Sequence, residues 1–221
     1  IHDGDISINT NAESARSIKV SGILNITNGH LTVNTTGDDG KGIKCDSTLI
    51  LGGGSIEVNV SGEGANGISS DRHVSVEGAD ITVINTSHDG KCFKSDNTFS
   101  MSGGSINLSH SGNISKGIKA AGDINISGGT ITIQASGSTE VIDYDPTYCT
   151  AIKGDANIII SGGDITINLP TSNHGGKGIS CAGNMTISGN NTIHIETHGD
   201  GATYTASSGT DTYSSSCLRA E

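Results

Sequence analysis

Acidic and basic residues alternate in two similar stretches of the chain. Residues 38–46 read DDGKGIKCD, and residues 88–96 read HDGKCFKSD, fifty positions later. Carboxylate oxygens are ligands that Ca²⁺ prefers, whereas lysines bind anionic groups and can serve as a general base. The alternation therefore indicates metal binding, recognition of an anionic ligand, or proton abstraction.

Both stretches belong to a repeat of 25 residues that runs through most of the chain. A column of hydrophobic residues follows this repeat, with one longer step of 34 residues across an insertion and one of 27 near the end. Its members are Ile18, Ile43, Ile68, Phe93, Ile118, Ile152 and Ile179. Two more columns begin at Leu24 and Ile6, and each member opens a short alternating segment typical of a strand with one buried face.

Three strands per repeat predict a three-sided coil whose backbone hydrogen bonds are made to the coils above and below. We therefore predict an all-β fold, a single-stranded parallel right-handed β-helix with three strands per coil and about seven to eight coils. One domain would cover residues 1–221, with an inserted loop at 138–150 and a C-terminal cap or tail at 201–221. The 33 glycines suit tight turns, and the 3% of aromatic residues argues against a conventional globular core.

The net charge and the short apolar runs argue against two classes of partner, nucleic acid and the membrane interior. The formal net charge of −11 argues against nucleic acid, whose phosphates the overall field would repel. The apolar runs are shorter than the ~18 residues of a membrane helix, so we expect no membrane-spanning segment. The chain begins at Ile1 without a signal-peptide pattern, which fits a processed or excised fragment.

The five cysteines cannot all pair within the chain. Cys45 and Cys181 occupy a repeat position that otherwise holds small residues, so we expect them to pack as small buried side chains. A bridge from Cys149 or Cys217 is the remaining possibility.

The first strand of each coil predicts two outward ladders, because side chains alternate between the two faces of a strand. The first ladder consists of Lys19, Lys44, Ser69, Lys94, Lys119, Lys153 and Ser180. The second carries Asp46, Asp71 and Asp96 on successive coils. At about 5 Å, and with an effective dielectric constant of ~20, each neighbouring pair of carboxylates costs on the order of 3 kcal/mol.

Two arrangements would offset this repulsion. Calcium is one, because the loops before these strands add more carboxylates close to the ladder. The predicted calcium ligands are Asp38, Asp39, Asp46, Asp71, Asp89 and Asp96. The other is a charge ladder neutralised by Lys44 and Lys94. Zinc is only weakly indicated, since the loop histidines have no partners at a fixed spacing.

The repeat also resembles a known family. The matching motifs are residues 39–46, 89–96, 116–119 and 177–180, with glycine turns at 127–131 and 161–165. They are similar to those of the calcium-binding parallel β-helix carbohydrate-binding proteins of bacterial surfaces, which resemble family 9 pectate lyases and bind polygalacturonic acid. The similarity covers almost the whole chain. It implies a non-catalytic, calcium-dependent binder of acidic polysaccharide that is extracellular or located on a bacterial cell surface.

Departures from the family pattern locate the expected metal. Asn66 and Ser69 replace lysines in the third coil, and Ala121 and Ala182 end the acidic ladder. We therefore expect the metal in the N-terminal half of the chain.

Ligand contacts are predicted from the remaining charges and rings. A cationic strip of Lys44, Lys94, Lys119 and Lys153 would hold the acidic groups of the sugar, and Tyr144 and Tyr148 lie in the insertion, which we interpret as a ligand lid.

Two other functions stay open. A polysaccharide lyase of this fold would use Lys44 or Lys94 as the base beside a metal, although lysines that repeat as a ladder favour binding over catalysis. A purely structural adhesin stalk is the other alternative.

Overall fold

A computed structural model describes residues 1–220. In that range 20 of the 24 strands form a parallel β-solenoid of about eight turns, the other four form two antiparallel hairpins, and there is no helix. Strands stack on three faces because each coil repeats the residue pattern of the coil before it. The predicted all-β fold with stacked parallel strands is confirmed. Residues 1–220 contain no candidate for a membrane-spanning helix.

Face 1 carries the two predicted ladders. It consists of β2 (Arg16–Val20), β5 (Lys41–Cys45), β8 (Asn66–Ser70), β11 (Lys91–Ser95), β14 (Lys116–Ala120), β18 (Thr150–Gly154), β20 (Lys177–Cys181) and β24 (Ser216–Ala220). These strands pair in parallel, and Ile18, Ile43 and Ile68 occupy equivalent positions on successive strands. The column continues to Leu218, which pairs with Ile179. The C-terminal segment therefore adds a strand to this face.

Faces 2 and 3 complete each coil. Face 2 contains β3 (Leu24–Ile26), β6 (Thr48–Leu51), β9 (His73–Val76) and β12 (Phe99–Met101). Face 3 contains β1 (Asp5–Thr10), β4 (His30–Thr35), β7 (Ser55–Val60), β10 (Asp80–Asn85) and β13 (Ser105–His110). In later coils β15 (Ile124–Ala135), β19 (Ile158–Leu169) and β21 (Met185–Thr197) run through both faces.

Two antiparallel hairpins interrupt the repeat. Hairpin 1 is formed by β16 (Glu140–Ile142) and β17 (Asp145–Thr147), where a loop was expected. Its turn residues Asp143 and Tyr144 have positive φ angles of 49° and 69°. Hairpin 2 is formed by β22 (Ala202–Ala206) and β23 (Gly209–Tyr213) and precedes β24. Each hairpin is followed in the chain by a strand of face 1, hairpin 1 by β18 and hairpin 2 by β24. Both hairpins therefore lie beside the outward side chains of this face.

The core is a stack of aliphatic side chains with one aromatic pair. The side chains of Ile43, Ile118 and Ile179 are fully buried, and the rings of Phe93 and Phe99 meet edge to face with centroids 5.6 Å apart. Cys45 and Cys181 are buried as expected, and all five thiols are free, so neither Cys149 nor Cys217 forms a bridge.

Candidate functional site

The N-terminal half of the ladder on face 1 is neutralised by ion pairs. The ammonium of Lys19 lies 3.3 Å from Asp46, and that of Lys44 lies 3.8 Å from the same carboxylate. Lys44 is almost completely buried and also donates a hydrogen bond to Asp71. This hydrogen bond lowers the pKa of Asp71 and outweighs the opposing effect of burial. Two lysines thus offset the repulsion between these two carboxylates.

The same arrangement continues toward the C-terminus. Lys94 pairs with Asp96 at 2.8 Å, and Lys119 pairs with Asp155 on the next coil. Lys153 makes no ion pair with any residue in the described range. Its charge is therefore available to a ligand.

The six predicted calcium ligands divide into two groups. Lysines contact the oxygens of Asp46, Asp71 and Asp96, so these three residues are poor candidates for holding a cation. Of the three loop residues, Asp89 also contacts a lysine, which leaves Asp38 and Asp39 as the better candidates. The three loop residues line an open trough of about 530 Å³ together with other acidic side chains. The acidic residues of this trough are Glu13, Asp38, Asp39, Glu63 and Asp89.

The backbone of the trough repeats from coil to coil. Asp39 and Asp89 both have left-handed φ angles, 53° and 50°, and Asp tolerates this conformation better than most residues. Asp38 accepts a hydrogen bond from the Glu63 amide at 2.9 Å, and Asp89 pairs with Lys91 at 2.9 Å. Within residues 1–220, no three His, Cys, Asp or Glu side chains converge as a metal-binding group. Calcium binding stays a prediction.

A second concave region, which we call the hairpin groove, lies at the C-terminal half of face 1 and has a volume of about 610 Å³. Face 1 contributes cations to it, and the two hairpins contribute aromatic and acidic side chains. The charged and aromatic residues that line it are Lys116, Lys119, Asp145, Tyr148, Lys153, Tyr204, Asp211 and Arg219. Anionic and hydroxyl groups could both bind here.

Aromatic contacts join the two hairpins. The rings of Tyr148 and Tyr213 meet edge to face at 6.4 Å, and Tyr213 also contacts Tyr204 at 6.1 Å. Two cations lie over the Tyr148 ring, the Lys177 ammonium at 4.3 Å from the centroid and the Arg219 guanidinium at 5.1 Å. Such cation–π contacts fix the direction of a long side chain, so Tyr148 orients Arg219 within the groove.

Lys116 differs from the other cations of the groove. Burial lowers its pKa to about 8, and the neighbouring charge of Lys91 contributes in the same direction. Its ammonium donates a hydrogen bond to the Ile114 carbonyl at 2.5 Å and lies 3.9 Å from Asp89. Lys116 therefore connects the groove to the acidic trough and carries a charge that titrates near pH 8.

Hairpin 1 is anchored through its first strand, β16, which does not line the groove. Glu140 faces His88 at 2.9 Å and accepts a hydrogen bond from the Asn113 amide at 2.8 Å. The hydrogen bond to His88 lowers the pKa of Glu140. These contacts hold the hairpin against the loops of earlier coils and thereby place Asp145 and Tyr148 at the groove.

A comparison with protein families agrees with a sugar ligand. The family model of carbohydrate-binding domain-containing proteins matches residues 39–201 of the 221. The chain belongs to this family. No curated protein and no solved structure matched. The matched range includes hairpin 1 and most of face 1, and it ends just before hairpin 2.

In this carbohydrate-binding domain the predicted ligand residues lie in different places. Lys119, Lys153 and Tyr148 meet in the hairpin groove. Lys44 is buried in its ion pairs, and Lys94 faces Asp96. Tyr144, at the tip of hairpin 1, is 62% exposed.

Outside the predicted lid, sequence reasoning missed four charged or aromatic residues of the carbohydrate-binding domain's groove, namely Lys116, Tyr204, Asp211 and Arg219. Arg219 follows Leu218 as each ladder lysine follows its column hydrophobe, which is a signal that the sequence contained. Tyr204 and Asp211 follow no repeat, because hairpin 2 lies outside the 25-residue pattern.

Proposed function

We propose that the hairpin groove binds an acidic polysaccharide of the polygalacturonate or pectin type, without cleaving it, outside the cell or on a bacterial cell surface. The observation that carries this proposal is the alignment of Lys119, Lys153 and Arg219 on one outward ladder. Adjacent strands lie about 4.8 Å apart, so the first two cations are one step apart and Arg219 is two steps further on. A polymer with repeating carboxylates can contact such a row.

Tyrosine rings and cations have different roles in this proposal. Lysine ammonium and arginine guanidinium groups form charge-assisted hydrogen bonds to sugar carboxylates. The tyrosines give the groove an apolar surface for the C–H faces of sugar rings and hold Arg219 in place. The net charge of −11 provides no long-range attraction for an anionic polymer. Binding therefore depends on the local groove and weakens as salt rises.

Calcium dependence forms the second part of the proposal. Oxygen ligands suit Ca²⁺, and Asp38, Asp39 and Asp89 are the predicted ligands whose loops meet in one trough. A bound cation would neutralise carboxylates next to the groove and so reduce their repulsion of an acidic sugar.

Titration calorimetry with oligogalacturonate tests the proposal. We expect Lys153→Gln and Arg219→Gln each to weaken binding about tenfold, which corresponds to about 1.4 kcal/mol. Lys19→Gln is the matched control, because this residue belongs to the same ladder but lies at the N-terminal end and pairs with Asp46. Equal losses in all three variants, or no heat with the wild type, would contradict the proposed site. An uncharged galactan should not bind.

One observation favours the lyase alternative. A lyase needs a lysine or arginine that is neutral often enough to accept the α-proton, and the pKa of Lys116 is lowered to about 8. The lysines predicted for this role, Lys44 and Lys94, are both paired with carboxylates. Appearance of unsaturated products in ultraviolet absorbance would favour the lyase, provided that Lys116→Gln abolishes it. A stalk without a ligand would give neither heat nor product.

A further inference from the structure

Two carboxylates line the hairpin groove together with its cations. Asp145 belongs to β17 of hairpin 1, and Asp211 belongs to β23 of hairpin 2. The cations Lys119, Lys153 and Arg219 come from face 1. The groove thus carries positive charge on its floor and negative charge on the hairpins beside it.

These carboxylates do not neutralise the floor. Lys119 pairs with Asp155 instead, and neither Asp145 nor Asp211 forms an ion pair with a lysine or arginine of the described chain. Asp211 is held in place by its own hairpin, where it accepts hydrogen bonds from the Thr212 amide at 2.7 Å and the Tyr204 hydroxyl at 3.3 Å. Each carboxylate retains lone pairs that can accept hydrogen bonds from a ligand.

We propose that Asp145 and Asp211 are specificity-determining residues that select hydroxyl-rich sugars with one carboxylate per unit against multiply sulfated chains. This inference rests on the proposed binding of acidic polysaccharide in the same groove.

The selection follows from the two charges. A uronate unit can place its carboxylate toward the floor and its hydroxyl groups toward the aspartates, which accept their hydrogen bonds. A unit with several sulfates must bring at least one of them toward Asp145 or Asp211, and like charges close together are costly. Repulsion of the wrong ligand is a common source of specificity, because discrimination depends on the difference between two affinities.

The experiment compares two ligands of matched length at one ionic strength, oligogalacturonate and heparin-derived oligosaccharide. Titrations use the whole chain as wild type and as the double variant Asp145→Asn/Asp211→Asn. The control double variant Asp5→Asn/Asp164→Asn removes the same charge from exposed positions that do not line the groove. Circular dichroism checks that both variants are folded.

We expect the wild type to prefer oligogalacturonate. The groove variant should bind heparin fragments about tenfold more tightly and oligogalacturonate severalfold more weakly, whereas the control should retain the wild-type ratio. The inference is overturned if the wild type binds both ligands equally, or if both double variants change the two affinities alike. In those cases a loss of binding in Lys153→Gln would still support the proposed function. A wild-type protein that binds neither ligand overturns the proposed function and this inference together.

Discussion

The rings of Tyr148 and Tyr213 meet edge to face with centroids 6.4 Å apart, although the two residues are 65 positions apart in the chain. Tyr148 directly follows hairpin 1, and Tyr213 is the last residue of hairpin 2. Tyr213 also contacts Tyr204, so one ring connects the two sides of the hairpin groove. The groove is therefore a tertiary feature that depends on hairpin packing as well as on the solenoid.

Replacing Tyr213 should weaken glycan binding, because its ring joins the two hairpins that line the groove. In Tyr213→Ala both aromatic contacts are lost, each worth about 0.5 to 1.5 kcal/mol, and the hairpins no longer support each other. We expect a threefold to tenfold rise in Kd for oligogalacturonate by calorimetry. Tyr144→Ala is the control, since this exposed tyrosine makes neither contact. Equal effects of the two substitutions would contradict a role for the contact.

Calcium uptake should distinguish the acidic trough from the ladder. Chelator-stripped protein is titrated with Ca²⁺ as wild type, Asp39→Asn and Asp71→Asn. We expect Asp39→Asn to lose binding, because Asp39 lines the trough, and Asp71→Asn to retain it, because Lys44 already pairs with Asp71. Loss of calcium binding in Asp71→Asn but not in Asp39→Asn would instead place the metal site at the aspartate ladder. A wild type that takes up no calcium would leave glycan binding to the cations of the groove alone.

Lys116 should make stability depend on pH in the alkaline range. Its folded-state pKa is about 8, below its ordinary value of 10.5, so between these values the unfolded chain binds more protons than the folded one. Stability therefore rises with pH through this window. Urea unfolding at pH 7.5 and pH 9.5 should show a smaller rise in Lys116→Gln than in the wild type. An unchanged difference between the two pH values would contradict this assignment.

Glycan affinity should change in the opposite direction over the same range. Above pH 8 Lys116 loses its charge, and the groove then attracts a carboxylate less strongly. We expect the Kd of oligogalacturonate to rise severalfold between pH 7 and pH 9 for the wild type. In Lys116→Gln the affinity should be lower throughout and nearly constant with pH.

One glycine of the coil corner should be intolerant of any side chain. A β-carbon at Gly112 would lie 1.8 Å from the Ser87 carbonyl oxygen of the preceding coil. The backbone must move to accept alanine there, so Gly112→Ala should lower the free energy of unfolding by about 2 kcal/mol. Gly22→Ala is the control, because no atom lies within 4 Å of its added β-carbon. Urea denaturation with equal midpoints for the two variants would contradict this account.

The 25-residue repeat was sufficient to predict the solenoid from the sequence. A chain that repeats its hydrophobic pattern every 25 residues must place equivalent residues above one another, and Ile18, Ile43 and Ile68 do pair in this way. The buried positions of Cys45 and Cys181 followed from the same reasoning. Periodicity sufficed because each coil contacts only its neighbours, so local pattern and global position coincide.

The pairing of charges on face 1 could not be predicted from the repeat. The spacing allowed either a metal or lysines to offset the aspartate ladder, and only side-chain positions show Lys44 directed at Asp71. The hairpin groove could not be predicted from the sequence either, because hairpin 2 has no counterpart in the repeat. Tyr204, Asp211 and Arg219 meet Lys119 because the chain folds back across coils. Such contacts depend on packing between segments that are distant in the chain, and residue spacing does not predict this packing. The 25-residue period, in contrast, is enough to specify the stacked coils beneath the groove.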